Sequence, residues 1–271
     1  MNRKVEQIKS RLTKQIKMGC FIMGCIFIFV FVAHINAWAA QWSTTEYHFQ
    51  YGNLETPFSG GDQMTQVHTL QHSSGWKYGD NFYFIDVLIP EDSNDINFYG
   101  ELYSNFSLGK ITGKEIGYGP VSDVGLLAGF NMDSDSNIRV YLPGVRLSWY
   151  IPGFTFFNTD FTAYLVDNPG TGAPDTDNSF MVDINWKYPF EIGGGKFSIQ
   201  GHVEYIGERE DGSGSEVKEW ILAQPQFRWD LGDMFDMSDK FFLGIEYQYW
   251  MNKMGGDTNE YAPQALAVWQ F

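Results

Sequence analysis

The chain has 271 residues and a formal net charge of −15. Its mean hydropathy of −0.26 excludes a bundle of several apolar membrane helices. Aromatic residues make up 17% of the chain, which excludes an intrinsically disordered protein. The 29 glycines, together with few helix-forming runs, favour one all-β body.

The first 39 residues have the order of a secretory signal peptide. Residues 1–17 carry six basic side chains and one acidic side chain. The apolar run from Met18 to Val32 follows, and its fifteen residues are fewer than the ~20 that a membrane helix requires. Ala37-Trp38-Ala39 then supplies the small residues that signal peptidase needs. We therefore expect a signal peptide at residues 1–39, with an uncleaved helical anchor as the alternative.

Removal of this segment makes the remaining chain strongly acidic. It leaves 12 of the 18 basic and 32 of the 33 acidic residues, a formal charge of −20. Such a charge argues against nucleic-acid binding, which needs clustered Lys and Arg. Cys20 and Cys25 lie in the removed segment, so we expect no disulfide, no thiolate metal site and no cofactor.

From Gln41 onward the chain alternates apolar and polar side chains in twelve windows of 8 to 14 residues, separated by Gly, Pro, Asn and Asp. The clearest window is residues 179–190, where the even positions are apolar and aromatic. Near Pro143-Gly144 the alternation slips by one residue, which predicts a β-bulge.

Alternation alone is compatible with a soluble sandwich, but three further features favour a membrane barrel. The windows end in aromatic residues at both margins, and the chain ends in an alternating segment that closes with Trp269 and Phe271. The connections also alternate between tight turns and longer acidic links. The longer links are Gly52 to Asp62, Pro90 to Asp95, Asn131 to Ser136, Asp167 to Asn178, Gly207 to Glu216 and Asn252 to Asn259.

Two connections, Gly109 to Ser122 and Gly232 to Asp239, are too long for this scheme. The other features predict a transmembrane antiparallel up-and-down β-barrel of about 12 strands in residues 40–271. We expect it in the outer membrane of a Gram-negative bacterium, with the longer links on the extracellular side.

Several stretches of these windows form a distinctive pattern. They are QHSSGWKYGDNFYFID at residues 71–86, YGELY at residues 99–103, Leu142-Pro143-Gly144-Val145-Arg146, Phe157-Asn158-Thr159-Asp160 and the region of Trp229. The pattern resembles the Tsx family of nucleoside-specific outer-membrane channels, and looks most similar to its OmpK branch. The resemblance implies a monomeric twelve-stranded barrel with a narrow pore through which nucleosides diffuse passively. It also implies that the surface loops can serve as a phage receptor.

A nucleoside has a flat base that stacks on aromatic rings and a ribose whose hydroxyls need donors and acceptors. The polar phase of the strands carries such groups, and we expect them to face the lumen and to bind a solute weakly enough to release it. The candidates are Phe82, Phe84, Asp86, Tyr99, Glu101, Tyr103, Arg139, Tyr141, Arg146, Asp160, Asp183, Lys187, Glu204, Arg228, Glu246 and Trp250.

We expect six of these candidates to form the constriction: Phe84, Asp86, Tyr99, Glu101, Tyr103 and Arg146. The alternative for any one of them is that inward carboxylates and arginines pair with each other and fill the lumen. The acidic links are expected to be solvated, with divalent cations able to bridge them to anionic lipopolysaccharide.

The competing function classes are a phospholipase-type barrel enzyme and a docking barrel that conducts nothing. The segment His72-Ser73-Ser74 suggests a Ser-His site at the lipid boundary. Ser73 points away from His72 on a strand, and the sequence reveals no third group that would orient the histidine. His68 and His72 share a face but lie ~13 Å apart, too far to bind one metal ion. We therefore expect a channel and no enzyme.

Overall fold

The computed structural model describes residues 40–56, 61–91, 96–134, 136–168 and 175–271. The predicted signal peptide lies outside these residues. Within the described ranges, no helix is both long enough and apolar enough to cross a membrane.

The described residues fold almost entirely into β-strands. The strands are β1 (Trp42–Thr56), β2 (Gly61–Trp76), β3 (Gly79–Pro90), β4 (Asn97–Ser107), β5 (Val121–Asp133), β6 (Arg139–Trp149), β7 (Phe156–Asp167), β8 (Ser179–Ile192), β9 (Gly195–Ile206), β10 (Arg209–Glu210), β11 (Glu216–Val217), β12 (Trp220–Ala223), β13 (Gln226–Asp230), β14 (Phe241–Met251) and β15 (Glu260–Gln270). The helices are α1 (Leu108–Thr112) and two 3-10 helices, Gly232–Phe235 and Lys253–Gly255.

The long strands form one closed antiparallel sheet. Each pairs with its neighbour in the chain, and β15 pairs with β1 to close the ring. β12 and β13 pair with β9 and β14 in one continuous register, so they act as a single strand interrupted at Gln224-Pro225. Pro225 has no N–H to donate, which explains the interruption. In the described residues the ring therefore has twelve strands, and the predicted fold class is confirmed.

The barrel has two different rims. We call the end where β1 begins and β15 ends the terminal rim, and the opposite end the loop rim. The strand ends that border the six longer acidic links lie at the loop rim, as the alternation of the links predicted. The two connections that did not fit the scheme lie at the terminal rim, where one contains α1 and the other a 3-10 helix.

The outer face of the barrel is apolar. Outward side chains such as Phe161, Phe180 and Ile245 are about half exposed. Near the terminal rim the rings of Phe197 and Trp229 stack with centroids 6.5 Å apart. In a soluble protein these outward apolar side chains would be exposed to water, whereas in a bilayer lipid would cover them.

The inner face has the opposite polarity. Glu46, His48, Gln50, Arg228 and Gln264 are all buried inside the ring. Their strands alternate with a period of two, so each register sends one set of side chains inward and the other set outward.

The prediction for β6 is wrong in one respect. The register between β5 and β6 runs without a shift through Pro143-Gly144, so the expected bulge is absent there. Val140 and Leu142 therefore share the inner face with Arg146, and both are buried in the lumen. The two candidates Arg139 and Tyr141 consequently point outward: the Arg139 side chain is 50% exposed, and the Tyr141 residue is 46% exposed.

Gly201 allows β9 to approach the interrupted strand closely at Gln224-Pro225. Its φ is +148°, and a Cβ there would lie 2.3 Å from the carbonyl oxygen of Gln224. We expect Gly201→Ala to lower the free energy of unfolding by about 1–3 kcal/mol, measured by urea titration in detergent. Gly61→Ala is the control, because none of the described residues has an atom within 4 Å of a Cβ at that position. Equal stability of the two variants would contradict this role for Gly201.

Candidate functional site

Strands β3 and β4 bring aromatic rings and carboxylates together on the lumen wall. The antiparallel register places Phe84 opposite Glu101 and Asp86 opposite Tyr99. The Phe84 and Tyr99 rings lie 6.0 Å apart, and the Tyr99 hydroxyl donates to Glu101 over 2.5 Å. Asp86 accepts a hydrogen bond of 2.6 Å from the Thr69 hydroxyl. We call this wall the β3–β4 patch; its members are Phe82, Phe84, Asp86, Tyr99, Glu101 and Tyr103.

Arg146 faces the lumen on β6 but is held by two carboxylates. Its Nε and Nη2 donate to Asp160 over 2.7 and 2.6 Å. Its Nη1 donates to Asp80 over 3.1 Å, and Asp80 also accepts from Asn105 over 2.9 Å. Arg146 is therefore a fixed part of the wall, joined to β4 through Asp80.

A second charged network crosses the lumen from β13 to β1. Arg228 Nη1 donates to Glu46 over 3.0 Å, and Glu46 lies 2.8 Å from His48 Nε2. Gln50 and Gln226 both donate to Glu246, over 2.8 and 2.6 Å. Arg228 and Glu246 are among the predicted lumen residues, whereas the β1 residues are not. The alternation of Glu46, His48 and Gln50 with Tyr47, Phe49 and Tyr51 was the signal that could have identified them.

A chain of hydrogen bonds continues from β8 round to β15. It begins at Asp183, which faces Glu204 across the β8–β9 pair. Its successive members are Asp183 and His202 at 2.9 Å, His202 and Gln224 at 2.9 Å, Gln224 and Gln248 at 2.9 Å, Gln248 and Glu260 at 2.8 Å, and Glu260 and Lys253 at 2.8 Å. Most of the lumen polar groups thus bind one another, as the filled-lumen interpretation predicted for single residues.

Part of the lumen wall between β4 and β12 is apolar. The ring of Tyr164 on β7 meets that of Trp220 on β12 at 6.1 Å, although β8 and β9 separate these strands in the sheet. Phe82 and Trp250 pack against the same cluster. We call it the plug cluster; its buried members are Tyr103, Leu127, Val140, Leu142, Tyr164, Met181, Ile206 and Trp220.

The β10–β11 hairpin covers the plug cluster from the loop rim. The Arg209 guanidinium lies 4.5 Å from the centroid of the Trp220 ring and 5.2 Å from that of Tyr164. Arg209 Nε also donates to Thr176 over 3.2 Å. The turn of the hairpin is ordered by Asp211, whose pKa is held below its usual value by hydrogen bonds from Ser213 and Ser215.

A cavity of about 320 Å³ lies at the terminal rim, beside the β8–β9 turn. Lys187, Ser198, Asp230 and Phe242 line it. In the described part of the chain, the Lys187 side chain forms no hydrogen bond or ion pair, whereas the side chains of Arg146 and Arg228 do.

The structure places fourteen of the sixteen candidates inside the barrel, with Arg139 and Tyr141 as the exceptions. It brings the β3–β4 patch together and places Arg146 in a separate network. Whether any of these residues binds a solute stays a prediction.

The outward residues of β2 bear on the enzyme alternative. His72 and Ser74 do share the outer face, while Ser73 faces inward. His72 Nδ1 lies 2.8 Å from the Thr45 hydroxyl and its ring stacks on Tyr83 at 5.0 Å. A hydroxyl, rather than a carboxylate, therefore orients His72. In the described ranges, no group of three His, Cys, Asp or Glu side chains is arranged to hold a metal ion.

Comparison with known proteins gives fold-level likenesses alone. No family model and no curated protein matches the chain. A KdgM porin is 10% identical, with a TM-score of 0.46 over 84% of this chain and 99% of the porin. An outer membrane channel from Pseudomonas putida F1 is 8% identical, with a TM-score of 0.44 over 86% of this chain and 96% of the channel. These likenesses carry no argument about function, so the resemblance to the Tsx family stays a prediction.

The pairing of Arg228 with Glu46 gives a stability prediction. Arg228→Met leaves Glu46 charged, buried and without its partner, so we expect a loss of about 3–5 kcal/mol in the free energy of unfolding. Arg139→Met is the control; the Arg139–Asp167 pair is half exposed at 4.0 Å, and its loss costs less than about 1 kcal/mol. The double variant Glu46→Gln/Arg228→Met is expected to recover part of the loss. A single Arg228 variant as stable as the Arg139 variant would show that the network does not stabilise the barrel.

Proposed function

We propose that this protein is an outer-membrane channel for passive diffusion of small polar solutes, with nucleosides as the preferred class. The observation that supports it most is the inverted polarity of the closed barrel. Apolar side chains cover the outside, while hydrogen-bonded charges and amides line the inside. This polarity suits a lipid bilayer around the barrel and polar solutes within it.

The β3–β4 patch supports nucleosides as the solute class. The rings of Phe84 and Tyr99 offer stacking surfaces to a base. Asp86 and Glu101 lie on the same wall and can accept hydrogen bonds from ribose hydroxyls. Each contact is weak by itself, which allows a bound nucleoside to leave again.

The proposed orientation puts the terminal rim in the periplasm and the loop rim outside the cell. Both ends of the ring of strands lie at the terminal rim, and the acidic links at the other rim are the longer ones. The loops at the loop rim would then contact lipopolysaccharide and could serve as a phage receptor. We propose a monomer, because one chain closes its own barrel.

The test is single-channel current of the purified protein in a planar bilayer, with and without adenosine or thymidine. A small conductance that nucleosides block reversibly is the expected result. Conductance that nucleosides leave unchanged would contradict the solute class and keep the channel. No conductance, with phospholipid hydrolysis or phage binding intact, would contradict the channel itself.

Two substitutions in the β3–β4 patch test the nucleoside site. Tyr103→Ala removes a ring and Asp86→Asn removes a carboxylate, so each is expected to weaken nucleoside block. For the lost ring the expected change is about 1–3 kcal/mol. Tyr141→Ala is the matched control, since that ring lies on the outer face. Unchanged block in both patch variants would place the solute elsewhere.

The plug cluster generates a separate prediction for the empty channel. Arg209→Gln removes the cation over Trp220 and Tyr164, which frees the hairpin that covers the lumen. We expect a larger conductance in the absence of nucleoside. Lys218→Gln is the control, because Lys218 binds Asp257 at the surface over 2.5 Å. If both variants conduct like the wild type, the hairpin does not restrict the lumen.

A further inference from the structure

The connection between β4 and β5 is too long for a hairpin turn, and its backbone is firmly held. Ser107 caps α1 by accepting from the Lys110 N–H over 3.0 Å, and the Ser107 hydroxyl donates to Asp123. Asp123 also accepts from the Gly109 N–H over 3.0 Å. The Lys110 Nζ donates to the carbonyl of Gly79 over 3.0 Å, which fastens α1 to the β2–β3 turn.

This fixed backbone presents apolar side chains on its surface. Ile111 is 47% exposed, Ile116 is 36% exposed and Tyr118 is 93% exposed. A helix of five residues with no buried residue adds nothing to a core. Exposure of these apolar side chains to water is unfavourable and gains the fold nothing. It therefore indicates that the segment contacts another molecule outside the barrel.

The same surface is basic in a chain whose overall charge is strongly negative. Lys77 lies in the β2–β3 turn, Lys110 lies in α1, and Lys114 lies two residues after the end of α1. Among the described residues of this surface, Glu115 is the one exposed acid that accompanies them. We call the surface the basic foot; its members are Lys77, Tyr78, Lys110, Ile111, Lys114, Ile116 and Tyr118.

The outer wall above the basic foot has the composition of a membrane interface. The Trp76 ring meets those of Tyr78 and Phe106 edge to face, at 5.4 and 5.8 Å. The Lys77 Nζ lies 4.9 Å from the centroid of the Tyr78 ring. Aromatic rings with adjacent cations are typical of the headgroup level of a bilayer.

The second long connection at this rim provides a comparison within the same molecule. It lies half of the ring away and also exposes apolar side chains, including Met234 and Phe235. Its charges differ, because Asp233, Asp236 and Asp239 accompany Lys240. Exposed apolar groups thus occur in both connections, while the excess of lysine occurs in one.

We propose that the basic foot binds the headgroups of anionic phospholipids in the leaflet at the terminal rim. The lysines supply the attraction for phosphate, and Ile111, Ile116 and Tyr118 supply the apolar contact that holds the segment at the surface. The contact anchors one side of the barrel at a fixed depth. The inference rests on the membrane location proposed above, but not on nucleosides as the solute.

The test uses a fluorophore on the foot. A Tyr118→Cys variant is labelled in a chain that also carries Cys20→Ser and Cys25→Ser, so the label has one attachment site. The labelled protein is reconstituted in bilayers that mix phosphatidylglycerol and phosphatidylcholine, with bromine on the acyl chains of one lipid at a time. We expect brominated phosphatidylglycerol to quench the label more strongly, because the foot enriches that lipid around it.

Lysine substitutions then test whether the charge of the foot, rather than its closeness to the bilayer, enriches phosphatidylglycerol around the label. Lys77→Gln/Lys114→Gln is expected to reduce the local enrichment of phosphatidylglycerol by about fivefold for each lysine, corresponding to about 1 kcal/mol per charge. Lys240→Gln makes the same change in the other connection and is expected to leave the enrichment unchanged. Neither variant touches Lys110, so the bond between α1 and Gly79 is kept.

Three results would overturn the proposal. Equal quenching by the two brominated lipids would show no headgroup preference, and a label that neither lipid quenches would place the foot in water. If the Lys240 variant and the double variant changed the enrichment of phosphatidylglycerol equally, the enrichment would depend on the overall charge of the rim and not on the basic foot. Failure of nucleosides to block the channel would leave all of these readouts unaffected.

Discussion

Closure of the sheet by pairing β15 with β1 is the constraint on which the rest of the structure depends. A closed ring leaves no strand edge unpaired, so the backbone satisfies itself without water. Closure also fixes the register of all twelve strands together. Because successive side chains alternate between faces, a shift of one residue in any strand would exchange its inner and outer sets. The ring therefore determines which chemistry faces lipid and which faces the lumen.

The charges inside the ring are arranged to make this interior possible. A single buried charge is costly, and the lumen meets the cost through pairs and networks that join different strands. Arg146 joins β6 to β7 and β3, while Arg228 joins β13 to β1. These links brace the barrel across its interior. They also leave fewer groups free to bind a solute. The β3–β4 patch and Lys187 at the terminal-rim cavity are among the groups that remain.

Most of the fold could be predicted from the sequence, because each barrel strand needs an alternation of apolar and polar side chains, and that alternation is visible in the sequence. The strand number, the two kinds of rim and the inner face of β3, β4 and β8 follow from that pattern. The errors arise where the lumen is apolar. Arg139 and Tyr141 are predicted to face the lumen because polar side chains are expected inside, whereas the structure places Val140 and Leu142 there. Their true environment depends on the plug cluster, which includes partners such as Trp220 that come from distant strands.

The division of the lumen into an apolar plug and a polar remainder has a functional consequence. In the proposed channel, a polar solute would gain hydrogen bonds and stacking along the β3–β4 patch, but it would have to displace or pass the apolar side chains of the plug cluster. Tyr103 belongs to both regions, since it is a member of the patch and is buried in the plug cluster. A flat ring that stacks on aromatic side chains can replace the contacts that the plug loses when it opens, whereas a hydrated ion cannot. Selectivity for aromatic solutes would then depend on the plug cluster that narrows the lumen as well as on the groups of the lumen wall.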